Sequence, residues 1–176
     1  MHVANYANRG MGLEALITYT NEVYLARHMA VVHKRPTPVK ILQTRGSKVN
    51  GYLEAASTVD YEGVYNGHSL QFEAKSTRDL RRLALDNFHA HQVEHIRQCI
   101  KQGAVTFALV EFVKHGQVFY VPGNLVVHVW DKWKAGGPAS LMYDDLSVQC
   151  TLVPKGRGVP LDYLSVVDKV IARKSA

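Results

Sequence analysis

Near the N-terminus Leu13, Leu16, Ile17, Thr20 and Tyr24 recur every three to four residues, one stripe that predicts a helix over about 11–32. Pro36 and Pro38 stop it, since proline lacks the N–H and turns the preceding residue away from α. Residues 39–43 then read as a strand, and the basic, glycine-containing run 44–51 as the tip of a hairpin. Asn66-Gly67 is the dipeptide that favours a type I′ turn, in which both central residues need positive φ. After it Leu70, Phe72 and Ala74 alternate with Gln71, Glu73 and Lys75, a strand with one apolar and one polar face. A charged connection, Arg78-Asp79-Leu80-Arg81-Arg82, leads to a second helix over about 88–101. The apolar run 104–113 predicts a buried central strand, and 117–121 pairs with it across Lys114-His115-Gly116. Trp130 and Trp133 fall in a helical or irregular stretch, as core or dimer-packing residues, before the breaker Gly136-Gly137-Pro138. Residues 148–153 read as a late edge strand and 161–173 as a terminal helix. Helix, strands, helix, strands is the order of a mixed α/β fold with one sheet, expected here as a single domain over 1–176.

Composition narrows the class. With 47% hydrophobic residues in 176 the chain can build a core, which excludes a disordered reading. Twenty-one Lys and Arg against 15 Asp and Glu leave +6, a balance that leans towards an acidic partner such as nucleic acid. Cys99 and Cys150 stand far apart without a CxxC, so neither a disulfide scaffold nor a cysteine zinc site is expected. No apolar run approaches the roughly 18 residues of a membrane span, and the first residues carry no signal-peptide core. A cytosolic protein with two free thiols is expected.

The chemistry concentrates between Asp60 and Lys75. Asp60 enters the first strand of the Asn-Gly hairpin, while Glu73 and Lys75, two apart on the second, project from the same face. The hairpin brings Asp60 back alongside them. Two carboxylates offer hard oxygen ligands to Mg²⁺ or Mn²⁺, and a neighbouring ammonium stabilises charge on a phosphoryl group. That trio suits metal-assisted phosphodiester hydrolysis. A solvated Glu–Lys pair on an exposed strand face would look the same, and the spacing alone favours it.

Other clusters are less telling. His91 and His95 have zinc-capable spacing, but without HExxH they and His89 read as packing or phosphate-contact residues near Gln92. His33-Lys34-Arg35 reads either as a solvated helix end or as a phosphate contact. Arg78, Arg81 and Arg82 read as a charged loop or a DNA-facing stripe. Tyr61 and Tyr65 either stack on bases or close the hairpin. Lys155-Gly156-Arg157-Gly158 is too short for a P-loop.

Five short segments, in order, resemble the RecU family of Holliday-junction resolvases: Asn8-Arg9-Gly10-Met11-Gly12-Leu13-Glu14, Val32-His33-Lys34-Arg35-Pro36-Thr37-Pro38, Ser57-Thr58-Val59-Asp60-Tyr61-Glu62-Gly63-Val64-Tyr65, Phe72-Glu73-Ala74-Lys75 and Asn87-Phe88-His89-Ala90-His91-Gln92-Val93-Glu94-His95. The resemblance runs over about 8–112. It implies a restriction-endonuclease-like PD-(D/E)xK fold, a mixed central β-sheet flanked by helices, working as a homodimer on four-way DNA with Mg²⁺ or Mn²⁺. By the same resemblance Asp60 and Glu73 match the metal-binding carboxylates and Lys75 the lysine that stabilises the transition state. Thr58 and Gln92 match further metal-site positions, and Glu14 a glutamate of the first helix that reaches towards the site. Arg9, Lys34, Arg35, Arg78, Arg81 and Arg82 are candidate DNA contacts. Arg45 and Lys48 are candidate cations of a short projecting stalk over about 44–52, a segment shorter here than is typical of the family. The arm before Asn8 is short as well. Contact with the strand-exchange recombinase is a further implied role. A related restriction or repair endonuclease, and a non-catalytic junction-binding protein, are the alternative readings.

Overall fold

The computed structural model describes residues 12–36, 38–53 and 58–174. In chain order the elements are α1 (Leu13–Ala26), β1 (Val31–Lys34), β2 (Val39–Arg45), β3 (Lys48–Leu53), β4 (Tyr61–Tyr65), β5 (His68–Thr77) and β6 (Arg82–Ala84). There follow α2 (Ala90–Lys101), β7 (Val105–Phe112), β8 (Gln117–Pro122), α3 (Gly123–Lys134), β9 (Ser140–Met142), α4 (Tyr143–Gln149), β10 (Thr151–Leu152) and α5 (Leu164–Lys174).

Six strands form one mixed sheet in the order β1-β4-β5-β7-β8-β10, in which only β5 and β7 run parallel. The connection between those two carries α2, as a parallel pair requires. Helices cover both faces. Leu13, Ile17 and Tyr24 of α1, with Leu164, Val166 and Val167 of α5, pack on Leu70, Phe72, Val105, Phe107 and Leu109. Val93 of α2, with Val126 and Trp130 of α3 and Leu146 of α4, packs on Ala108, Val110, Phe112 and Phe119. Strand β7 is therefore buried on both sides, which explains its unbroken apolar run. On the first face Tyr61, Phe72, Phe107 and Tyr120 stack across four neighbouring strands with centroids 4.9, 4.5 and 4.5 Å apart. This ladder fixes β4, which begins at Tyr61 beside Asp60, against β5, which carries Glu73.

The first helix stops six residues short of the expected 32. His28 adopts a left-handed φ of 54°. Its N–H donates to Leu25 C=O (3.0 Å) and that of Met29 to Tyr24 C=O (2.9 Å), the two reversed bonds that close a helix C-terminus. Glycine ordinarily occupies that position, so a histidine there conceals the stop. The chain then turns back as β1 at the sheet's edge, antiparallel to β4. His33, Lys34 and Arg35 consequently lie on and just after an edge strand rather than at a helix end.

The Asn-Gly turn forms as expected, with Asn66 at φ 47° and Gly67 at φ 78°. A Cβ at Gly67 meets nothing within 4 Å, so backbone strain alone decides a substitution there. Gly67→Ala is expected to lower unfolding stability by about 1 kcal/mol. The check is a lower urea midpoint at unchanged slope.

Three other expectations change. Arg82 does not sit in a plain charged loop but begins β6, which pairs with β9 and buries Leu83. The late strand shrinks to β10, because α4 takes the residues up to Gln149. The terminal helix begins at Leu164. Strands β2 and β3 form a separate two-stranded hairpin, Val39–Leu53, closed at Gly46-Ser47. Among its described side chains Ile41, Leu42, Val49 and Tyr52 are exposed and stay outside the core.

Candidate active site

Strand β5 alternates as expected, but its polar face is not solvated. Helix α2 lies over it and encloses Gln71, Glu73 and Lys75, so the solvated-pair reading fails. Glu73 is fully buried and the Lys75 side chain is 14% exposed. The donors that reach Glu73 come from its own strand, from α2 and from the entry to β4. Lys75 Nζ lies 2.8 Å from Oε2 on the same strand. Gln92 Nε2, from the first turn of α2, donates to Oε2 at 2.8 Å. Asp60 N–H, at the entry to β4, donates to Oε1 at 3.1 Å. In return Asp60 Oδ2 accepts the N–H of Ala74 at 3.0 Å. This exchange of side chain and main chain locks the two carboxylates together where β4 and β5 meet.

The electrostatics are set chiefly by burial. It raises the Glu73 carboxyl from its ordinary 4.5 to about 8, the nearby Asp60 adds to the rise, and Lys75 opposes it. The Lys75 ammonium also lies 5.5 Å over the Phe88 ring.

Gln92 has a fixed amide. Its Oε1 accepts the His89 N–H at 3.0 Å, the reciprocal half of a capping box, and lies 3.5 Å from Lys75 Nζ. The NH₂ group must then face Glu73. Further along α2, His95 Nε2 meets Gln71 Oε1 at 3.2 Å and Cys99 Sγ at 3.4 Å. Burial lowers its pKa, with the Arg35 charge second.

The remaining candidates sit as follows. Thr58 Oγ1 accepts a hydrogen bond from Arg35 Nη1, and Arg35 Nη2 pairs with Glu62 at 2.6 Å. Glu14, on the exposed side of α1, pairs with Lys34 at 2.6 Å rather than with the Asp60–Glu73 pair. Arg45 and Lys48 face each other across the last rung of the β2–β3 hairpin, both exposed. Arg78, Arg81 and Arg82 are exposed. Asp79 accepts the Arg81 and Arg82 N–H groups at 2.7 and 3.2 Å and so shapes their turn. Arg9 lies outside the described residues. Tyr61 is wholly buried, which excludes base stacking by that ring, and Tyr65 bonds Asp168 at 2.6 Å. Sequence reasoning missed two parts of the site. The Phe88 ring under Lys75 reads in the sequence only as a helix lead-in. The Arg35 bridge depends on long-range placement that no local pattern announces.

The family model for Recombination protein U, RecU, matches residues 8–169. The chain belongs to the RecU family. A Holliday junction resolvase RecU of Limosilactobacillus reuteri is 38% identical over 180 residues, covering 99% of this chain and 88% of that protein. The RecU resolvase of Geobacillus kaustophilus is 39% identical over 173 residues, covering 95% and 86%. That of Bacillus pumilus is 39% identical over 171 residues, covering 94% and 82%. RecU similarity thus extends through the C-terminal third, well past the five short segments. Among solved structures, Hjc of Archaeoglobus fulgidus, a Holliday junction resolvase, aligns at TM-score 0.36 and 11% identity over 61% of this chain and 77% of that one, too loose a likeness to carry an assignment.

Proposed function

We propose that this chain is an endodeoxyribonuclease that resolves four-way DNA junctions by divalent-metal-dependent phosphodiester hydrolysis in recombination and repair. The observation that carries the reading is the interlocked pair Asp60–Glu73 with Lys75 at 2.8 Å, in a member of a family whose relatives are named resolvases.

The donor set fits a hard cation. Among the described residues no three or more His, Cys, Asp and Glu side chains cluster as a metal cage. Two carboxylates suit Mg²⁺ or Mn²⁺, which keep waters and substrate phosphate oxygens in their shells. Asp60 and Glu73 would hold the ion, with Thr58 beside them, directly or through water; Gln92, expected at the metal, turns its NH₂ to Glu73 and would act through that carboxylate instead. When bound, it supplies a more acidic water and a polarised phosphoryl oxygen. Glu73 must give up its proton to act as a ligand, and Lys75, next to it, favours that ionised form. Lys75 also offers its remaining N–H donors to the phosphate on which charge develops. Gln92, held by the helix cap, keeps the Glu73 carboxylate aimed.

The β2–β3 hairpin supports both self-association and substrate choice. A lone hairpin is marginal in water, and Ile41, Leu42, Val49 and Tyr52 are exposed, so a second copy of the chain is the proposed cover. A two-fold dimer also matches a two-fold junction. Arg45 and Lys48, paired at the tip, would enter the junction as phosphate contacts. Arg45→Ala combined with Lys48→Ala is expected to weaken junction binding about tenfold while duplex binding changes less. Competition binding at fixed salt reads this; an unchanged preference removes the stalk role. The resemblance alone supports contact with the strand-exchange recombinase. No helix among the described residues is long and apolar enough to cross a membrane, and the proposed site of action is the DNA of the bacterial cytoplasm.

The substrate class is tested by cutting four-way junction, flap and linear duplex side by side at equal concentration. Preferential junction cutting is expected. Equal cutting of flap or duplex would support the restriction or repair endonuclease instead.

A further inference from the structure

The geometry points to Arg35 as a positioning residue for the candidate metal site rather than a phosphate contact. This rests on the metal-site reading given above. Arg35 follows the last residue of edge strand β1 and precedes Pro36. Proline offers no N–H and holds the residue before it extended, so Arg35 is the last ladder donor at this edge. Its N–H donates to Asp60 C=O at 2.8 Å, one rung beyond the Lys34–Tyr61 pair.

The side chain spans the same run. Nη1 donates to Thr58 Oγ1 and Nη2 pairs with Glu62 Oε2 at 2.6 Å. Arg35 therefore touches three alternate residues, 58, 60 and 62, with main chain and both arms of a planar fork. The fork geometry imposes the spacing that a single ammonium could not. The consequences reach the site at two atoms. The Asp60 peptide is held at its C=O by Arg35 while its N–H serves Glu73 Oε1. Thr58 Oγ1, accepting from Arg35, keeps its own proton and a second lone pair for a water or an ion. Glu62 offsets the guanidinium charge, so the clamp does not repel a cation. With both arms engaged, Arg35 has little left to offer a DNA phosphate.

The test is binding of Ca²⁺ or Mn²⁺ by calorimetry to the full chain, with junction affinity measured separately in chelator. Arg35→Ala is expected to weaken metal binding about tenfold or more, as loss of a ligand-orienting partner does, with junction affinity in chelator within about twofold of wild type. Arg35→Lys, keeping the charge but one head, is expected between the two. Thr58→Val should weaken metal binding too, and the double variant should fall short of additivity because both act through one hydroxyl. Unchanged metal affinity with weakened junction binding would make Arg35 a phosphate contact and overturn the inference, as would strict additivity with Thr58→Val. Asp60→Asn is the control. If it also leaves metal binding intact, the metal-site reading has failed; if it alone loses metal, only the Arg35 role has failed.

Discussion

Asp60→Asn and Lys75→Ala each lower junction cleavage by about 10²–10³-fold or more while junction binding in chelator stays close to wild type. The separation follows from placement. Both side chains lie where β4 and β5 meet under α2, and the exposed cations that would meet the DNA backbone, Arg45, Lys48, Arg78, Arg81 and Arg82, lie elsewhere. Asparagine keeps an oxygen that can accept the Ala74 N–H, so the carboxylate charge is lost without loosening the strands. Lys75→Ala also removes the charge that opposes the upward shift of Glu73. Its metal binding should therefore require higher pH than wild type. Single-turnover cleavage and a gel-shift titration separate the two quantities. Parallel loss of binding in both variants would argue for a structural role.

The second large effect is a pH dependence written by Glu73. In the unfolded chain this carboxyl titrates near 4.5, and in the metal-free fold it is pushed up to about 8 by burial. Between those values the folded state holds a proton that the unfolded state has released. Stability of the metal-free protein therefore falls as pH rises through that window, by up to about 1.4 kcal/mol per pH unit for one proton. Divalent metal selects the ionised carboxylate, so its affinity rises with pH over the same range. Glu73→Gln has no proton to lose. Its melting temperature in chelator should stay nearly flat between pH 6 and 8 where the wild type declines, and its cleavage should be lost. Thermal melts in matched buffers check this; an equal slope in both proteins would place the titrating group elsewhere.

Much of this site was legible in the chain. Alternation along 70–75 put Glu73 and Lys75 on one face, and Asn66-Gly67 fixed the turn that returns Asp60 to them. What alternation could not tell was that the polar face is covered. That depends on α2 crossing β5 and on a glutamine whose amide is held by the cap at His89. The end of the first helix is illegible in the chain because the left-handed residue is His28, which gives no local stop signal, and β1 is hidden with it. With β1 hidden, Arg35 is hidden too, since it meets Asp60 only when β1 lies beside β4. The short pair β6–β9 was missed because three-residue strands carry too few alternations to register.

The most direct measurement is cleavage of an immobile four-way junction, labelled in turn on each strand, by wild type with Mg²⁺, with Mn²⁺ and in chelator. Paired nicks are expected at symmetric positions on opposing strands, present with metal and absent in chelator. Tight junction binding with no cutting under either metal would contradict the resolvase reading and leave a junction-binding protein in its place.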